Sequence, residues 1–206
     1  MTSAPLDTPF SGAPRLTLAD RLVTRSRAGD LALIATGAAV TAVAAQIAVP
    51  LWPVPITGQT LAVLLVGSTL GAVRGALSMV LYAVLGIVGL PIFSDGSAGL
   101  SIVAGPTGGY IIGFVFAAAL VGWVAERAGD RRVLGAALSF LGGTVVTFAF
   151  GLPWLAASLG LTLEQTLQSG LYPFIIGGLV KSALAAAAIP AVWALLSRRD
   201  ENTTRR

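Results

Sequence analysis

Twelve of the thirteen positive residues in this 206-residue chain fall at four places, and six apolar segments run between them. Arg15, Arg21, Arg25 and Arg27 precede the first segment. Arg74 lies between the second and third. Arg127, Arg131 and Arg132 lie between the fourth and fifth, and Arg198, Arg199, Arg205 and Arg206 follow the sixth. The segments cover 31–49, 58–73, 75–90, 108–125, 133–152 and 173–196. The links after the first, third and fifth hold no Lys or Arg. Short loops rich in Lys and Arg stay on the cytosolic side of a membrane, so an even number of spans with both ends inside accounts for all twelve. Five or seven spans would scatter them. The fold expected is therefore an all-α integral membrane protein, a bundle of six transmembrane helices with cytosolic N- and C-termini.

Composition agrees with that pattern. Only 11% of residues are charged, against about 25% in soluble domains. The 25 glycines suit helices that pack closely without help from water. There is no Cys and no His, which removes thiolate nucleophiles, imidazole bases and the usual transition-metal ligands. No acid pair lies at bilayer depth either, so no catalytic residues, metal or cofactor are expected, and an intramembrane enzyme is a poor fit. There is no GxxxxGK[ST] stretch, so any ATP used must be bound by a partner. The net charge of +4 is explained by sidedness, and no nucleic-acid partner is expected.

Three regions follow. Residues 1–30 are expected to be a flexible cytosolic tail without a cleaved signal peptide, 31–197 the membrane domain, and 198–206 a basic cytosolic tail. Segments two and three are short for a span of about 20 residues, which calls for extension by loops or local thinning of the bilayer. The prolines Pro50, Pro53, Pro55, Pro91, Pro106, Pro153 and Pro173 fall at segment ends, where helices tolerate them. The links over 49–60 and 93–109 are rich in Pro and Gly yet hardly polar. Irregular backbone near a membrane needs burial in protein or a cavity, so these links are expected to fold as a lid over the outer mouth. Thr162 and Gln165 form a capping-box pattern for a short surface helix in the fifth link.

Lys181 sits inside segment six, about 12 Å below its outer end at ~1.5 Å per residue. A Lys at mid-depth costs about 2.5–3.5 kcal/mol on insertion scales. No apolar segment holds an acid well inside the bilayer. The missing counter-charge is then a ligand carboxylate, or Asp95 if the lid folds inward, or none if the side chain is neutral or snorkels. Gln59 and Thr57 open segment two, and Thr107 and Tyr110 open segment four. With Lys181 they would ring an apolar cavity with a few polar groups, the usual form of a small-molecule site. Each has a structural alternative: Thr57 as a helix cap, Tyr110 and Trp52 as interface anchors, and Tyr82 as core. Small residues four apart in segment one (Ala35–Ala39, Ala38–Ala42 and Thr41–Ala45) serve either packing within the bundle or docking of another membrane subunit.

Three stretches carry a resemblance: VPLWPVPITGQTLAVLLVGSTLGAVRGALSMVLYAVLGIVGLPIF, GPTGGYIIGF and YPFIIGGLVKSALAA. They are similar to the BioY family, over about 31–196. Members are the biotin-binding S components of energy-coupling factor (ECF) transporters. The resemblance implies an ECF S-component-like six-helix bundle in the cell membrane that captures biotin from outside. It also implies a membrane coupling subunit and two cytosolic ATPases as partners. By the same resemblance, Lys181 faces the biotin carboxylate, Tyr110 and Gln59 line the pocket, and Ala35, Ala39 and Ala42 belong to the face that docks on the coupling subunit. The chain departs from the family at Gly178, where many members carry Asp. That departure leaves open a biotin relative or another carboxylated vitamin as ligand, and a self-sufficient carrier is the other alternative.

Overall fold

A computed structural model of the chain describes residues 17–23, 26–127 and 131–204. Of the two expected tails, residues 1–16, 24–25 and 205–206 lie outside the described residues. The helices are α1 (Leu18–Leu22), α2 (Arg27–Ala45), α3 (Gln59–Leu70), α4 (Ala72–Ile87), α5 (Leu100–Ala104), α6 (Gly108–Glu126), α7 (Val133–Leu159), α8 (Leu163–Gly170) and α9 (Tyr172–Thr204). Four of them, α2, α6, α7 and α9, are long and apolar enough to cross a membrane, and α3 and α4 are shorter apolar helices. Among the described residues the architecture is all-helical apart from a hairpin of two two-residue strands, β1 (Ala48–Val49) with β2 (Ile56–Thr57), antiparallel with Ala48 opposite Thr57. This hairpin is the first Pro-rich link. Pro50, Pro53 and Pro55 fall in its turn, where no ladder N–H is required.

The centre of the bundle is α6, which packs on α3, α4 and α7. Its Ala117, Ala118 and Val121 are fully buried. Small residues bring the backbones together here. A Cβ on Gly67 would lie 2.7 Å from the Ala118 carbonyl oxygen, and one on Gly75 would lie 3.0 Å from the Gly67 Cα. The turn from α3 to α4 is a single residue, Gly71, at φ 89°, where a side chain would be strained.

The arginine-bearing ends of the helices meet at one end of the bundle. Arg74 at the start of α4 bridges Asp20 of α1 at 2.9 Å and Asp30 of α2 at 2.8 Å. Glu126, closing α6, accepts the N–H of Ala72 at 2.9 Å and so caps α4. The guanidinium groups of Arg21 and Arg131 lie over the Trp193 ring of α9, at 5.2 and 4.3 Å from its centroid. Between them α1, held by a Thr17–Asp20 capping box, sets Leu18 into a cluster with Leu64, Val121, Phe140 and Ala185. Part of the stretch read as a tail is therefore helix, because a buried leucine and an ion pair anchor it.

The links without basic residues meet at the opposite end. Gln46 at the end of α2 donates to the Phe93 carbonyl at 3.1 Å and accepts from the Gly96 N–H at 3.1 Å. The capping box at Thr162 and Gln165 is formed, and α8 follows it. Several boundaries differ from expectation: α2 covers Arg27–Ala45 against the expected 31–49, α4 covers Ala72–Ile87 against 75–90, and α9 continues to Thr204, through most of the expected C-terminal tail. Segment five was to end before Pro153, but α7 continues through it to Leu159. A proline inside a helix forfeits a backbone hydrogen bond. Here the extra turns bury Leu155 completely and let the Trp154 indole donate to the Gly105 carbonyl at 2.9 Å.

Candidate functional site

At the end of the bundle away from the arginines, the hairpin, the link over 91–107 and residues of α3, α6, α7 and α9 line a chamber. Five of the expected residues line it: Thr57, Gln59, Thr107, Tyr110 and Lys181. Phe93, Phe114, Phe148 and Phe174 supply most of the remaining wall, with Val54 and Ile111. An apolar box with a few fixed polar groups is the form small-molecule sites take.

Lys181 points its ammonium into this box. It donates to the Thr57 carbonyl and to the Thr60 hydroxyl at 3.2 Å. Among the described residues no Asp or Glu lines the chamber. Asp95, the alternative counter-charge, sits outside it in a short 3-10 turn at φ 56°. Two neutral oxygens therefore hold a half-buried amine, and no acidic side chain of the chamber stands by to offset a charge on it.

The other polar groups form a connected chain. The Thr57 hydroxyl donates to Gln59 Oε1 at 2.7 Å and accepts the Gln59 backbone N–H at 3.2 Å. The Gln59 amide donates to the Tyr82 hydroxyl, which donates to the Ile92 carbonyl at 3.2 Å. Thr57 thus serves the start of α3, as a cap would, while lining the chamber. Tyr82 is fully buried, packed edge-on against Phe93 at 5.4 Å. It ties the start of α3 to the link after α4 without lining the chamber. The Tyr110 hydroxyl donates to the Gly170 carbonyl at 2.9 Å. Its ring stacks on Phe174 at 6.3 Å and meets Phe148 edge-on at 5.7 Å. The Thr107 hydroxyl donates to the Ile102 carbonyl at 3.1 Å. Trp52 projects from the hairpin, 82% exposed.

Gly178 lies beside the chamber. It lines a small adjoining space with Thr60, Leu64, Thr144 and Lys181, and a Cβ there would meet nothing within 4 Å. The three α2 alanines expected to dock a partner divide. Ala42 packs against the core, while Ala35 and Ala39 are exposed. Ala38, Thr41 and Ala45 are buried, so both readings of the small-residue spacing have residues behind them. Sequence reasoning passed over Thr60, Phe148 and Phe174. Thr60 follows Gln59 directly, and Phe174 lies in the YPF stretch, so both had a local signal. Phe148 is one apolar residue among many in α7 and had none.

The BioY family model matches residues 17–198. A probable biotin transporter BioY of Pyrococcus horikoshii is 39% identical over 77% of this chain and 93% of its own length. Biotin transporter BioY2 of Lactococcus lactis subsp. cremoris is 32% identical over 85% of this chain and 96% of its own. Among solved structures, an S-component for biotin from an ECF-type ABC transporter superposes with a TM-score of 0.74 at 24% identity, covering 84% of this chain and 94% of that one. That likeness establishes the fold.

Proposed function

Because the chain belongs to the BioY family, we propose that it takes up biotin as the substrate-capturing S component of an ECF-type transporter. The observation that carries this reading is Lys181, an ammonium held by neutral oxygens in an aromatic box that no acid of the chamber enters. A ligand carboxylate supplies the absent charge. Charge-assisted bonds of this kind are roughly twice as strong as neutral ones. The aromatic walls would take the fused rings, and Gln59 and the Thr57 carbonyl present polar atoms near them. Gly178 offers no side-chain acceptor to the ureido N–H groups, so backbone carbonyls and Gln59 take that part.

The membrane arrangement in this reading is six spans in the plasma membrane, with both termini cytosolic. The support is the gathering of Arg21, Arg74 and Arg131 at one end of the bundle and of the links without basic residues at the other. Helix α3 spans only ~18 Å at about 1.5 Å per residue, and the lid above it makes up the rest. Motion is driven from outside the chain, by a membrane coupling subunit that docks on the exposed Ala35–Ala39 face of α2 and by two cytosolic ATPases. Residues 1–16 and 198–206 would be cytosolic tails flanking this domain.

The test is equilibrium binding of radiolabelled biotin to the purified protein in lipid nanodiscs, with dethiobiotin and other carboxylated vitamins as competitors. Saturable binding that biotin displaces best supports the reading. Displacement by another vitamin at lower concentration than biotin would reassign the ligand. Uptake into vesicles with and without a coupling module then separates the S component from a self-sufficient carrier.

A further inference from the structure

On one flank of the bundle α7 and α9 part to leave an apolar groove of about 500 Å³. Leu141, Val145 and Leu152 form one wall, and Ile175 and Leu179 the other. No charged residue lines it; its two hydroxyls are those of Thr144, which donates to the Phe140 carbonyl of its own helix at 2.9 Å, and Ser182. Both helices are long enough to span, and Leu141, Val145, Ile175 and Leu179 are exposed. With α7 and α9 spanning a bilayer, the groove opens at hydrocarbon depth, where the surrounding solvent is lipid and a polar occupant would lose its hydrogen bonds.

Its floor is what sets it apart from an ordinary lipid-facing surface. Phe148 and Phe174 line the groove, the small space beside Lys181 and the chamber itself. Gly178 lines the groove and the small space, and presents no side chain to either. The chamber measures only about 40 Å³ and the small space about 20 Å³, against about 300–1,000 Å³ for sites that hold small molecules. The chamber must widen for a vitamin, and the two phenylalanine rings are its shared wall with the large neighbouring volume.

We propose that the groove binds one acyl chain of a membrane phospholipid, whose end rests on Phe148 and Phe174, and that ligand entering the chamber presses those rings against it. The second half rests on the biotin reading; the acyl-chain site does not. Occupants that compete for the same wall lower each other's affinity, and the effect is reciprocal.

The experiment places the whole chain in nanodiscs of phosphatidylcholine carrying a diazirine in the acyl chain, irradiates it and maps adducts by peptide mass spectrometry. Gly178→Leu fills the floor of the groove, where there is open space. Ala149→Trp fills it from an exposed lining position. Adducts are expected to concentrate on α7 and α9 groove residues over Val40 and Val43 of α2, which are exposed elsewhere. Each filling variant should cut the groove adducts several-fold and leave those on α2 unchanged. Saturating biotin should cut them in the wild type. Even labelling of α2, α7 and α9, or groove labelling untouched by both variants, overturns the site. So does a groove shielded from label in chains that cross-link as dimers. Bound biotin that leaves groove adducts unchanged refutes the coupling. If no biotin binds, the functional reading fails, and the two variants still decide the acyl-chain site.

Discussion

Replacing Lys181 with methionine keeps the length and apolar stem of the side chain and removes only the ammonium. In the free protein this should cost little. The Thr57 carbonyl and Thr60 hydroxyl lose a donor, about 1–3 kcal/mol if left unsatisfied, while a cation is removed from bilayer depth, worth about 2.5–3.5 kcal/mol on insertion scales. The two nearly offset, so the thermal midpoint should stay close to wild type. Binding is another matter. Removing one partner of a desolvated charge pair costs about 2–5 kcal/mol, roughly 30-fold to several-thousand-fold in Kd at about 1.4 kcal/mol per tenfold. The assay is a cycle of two proteins and two ligands, biotin and its methyl ester, measured by calorimetry in nanodiscs. Wild type should prefer the acid by a factor in that range, and the variant should bind acid and ester alike. Equal affinity of wild type for acid and ester would refute the reasoning, as would a variant that keeps the preference.

Gln59→Leu should lower stability by about 1–3 kcal/mol, since it strips the buried Thr57 and Tyr82 hydroxyls of a partner. It should also weaken ligand binding, and thermal unfolding with and without biotin separates the two effects. Arg74→Met should cost about 1–3 kcal/mol, below the range for a fully buried pair because Asp30 is partly exposed. Adding Asp20→Asn should recover part of that loss in the same melt. Gly67→Val drives a Cβ to 2.7 Å from a backbone oxygen that cannot move aside, and should lower stability by about 1–3 kcal/mol or more. Gly142→Ala is the control. Its Cβ meets only Leu120 at 3.6 Å, and it should be neutral or stabilising by about 0.5–1 kcal/mol.

The meeting of Arg21, Arg74 and Arg131 at one end of the bundle was legible along the chain because the spacing of basic residues between apolar segments is a one-dimensional property. The isolation of Lys181 was legible for the same reason, since a lone cation among apolar residues needs no coordinates to be noticed. The Thr162–Gln165 box was readable because both partners lie within one turn. The Thr17–Asp20 box had the same signature and was passed over within a polar stretch. What lies across helices was not readable. Nothing local says that Phe148 and not Phe150 faces the chamber. The hairpin escaped because its strands are two residues long, too short for alternation to appear. Helix α7 ran through Pro153 because tertiary burial of Leu155 outweighed one lost backbone bond. The division of the α2 alanines needed the bundle, since spacing alone does not tell an inward face from an outward one.

The most direct test of the central claim is the structure of this chain with biotin bound in a lipid environment. The account predicts the carboxylate within about 3 Å of Lys181 Nζ, the range of a charge-assisted bond, with the rings among Tyr110, Phe148 and Phe174. Biotin seated elsewhere, or in the chamber with its carboxylate turned away from Lys181, would contradict it.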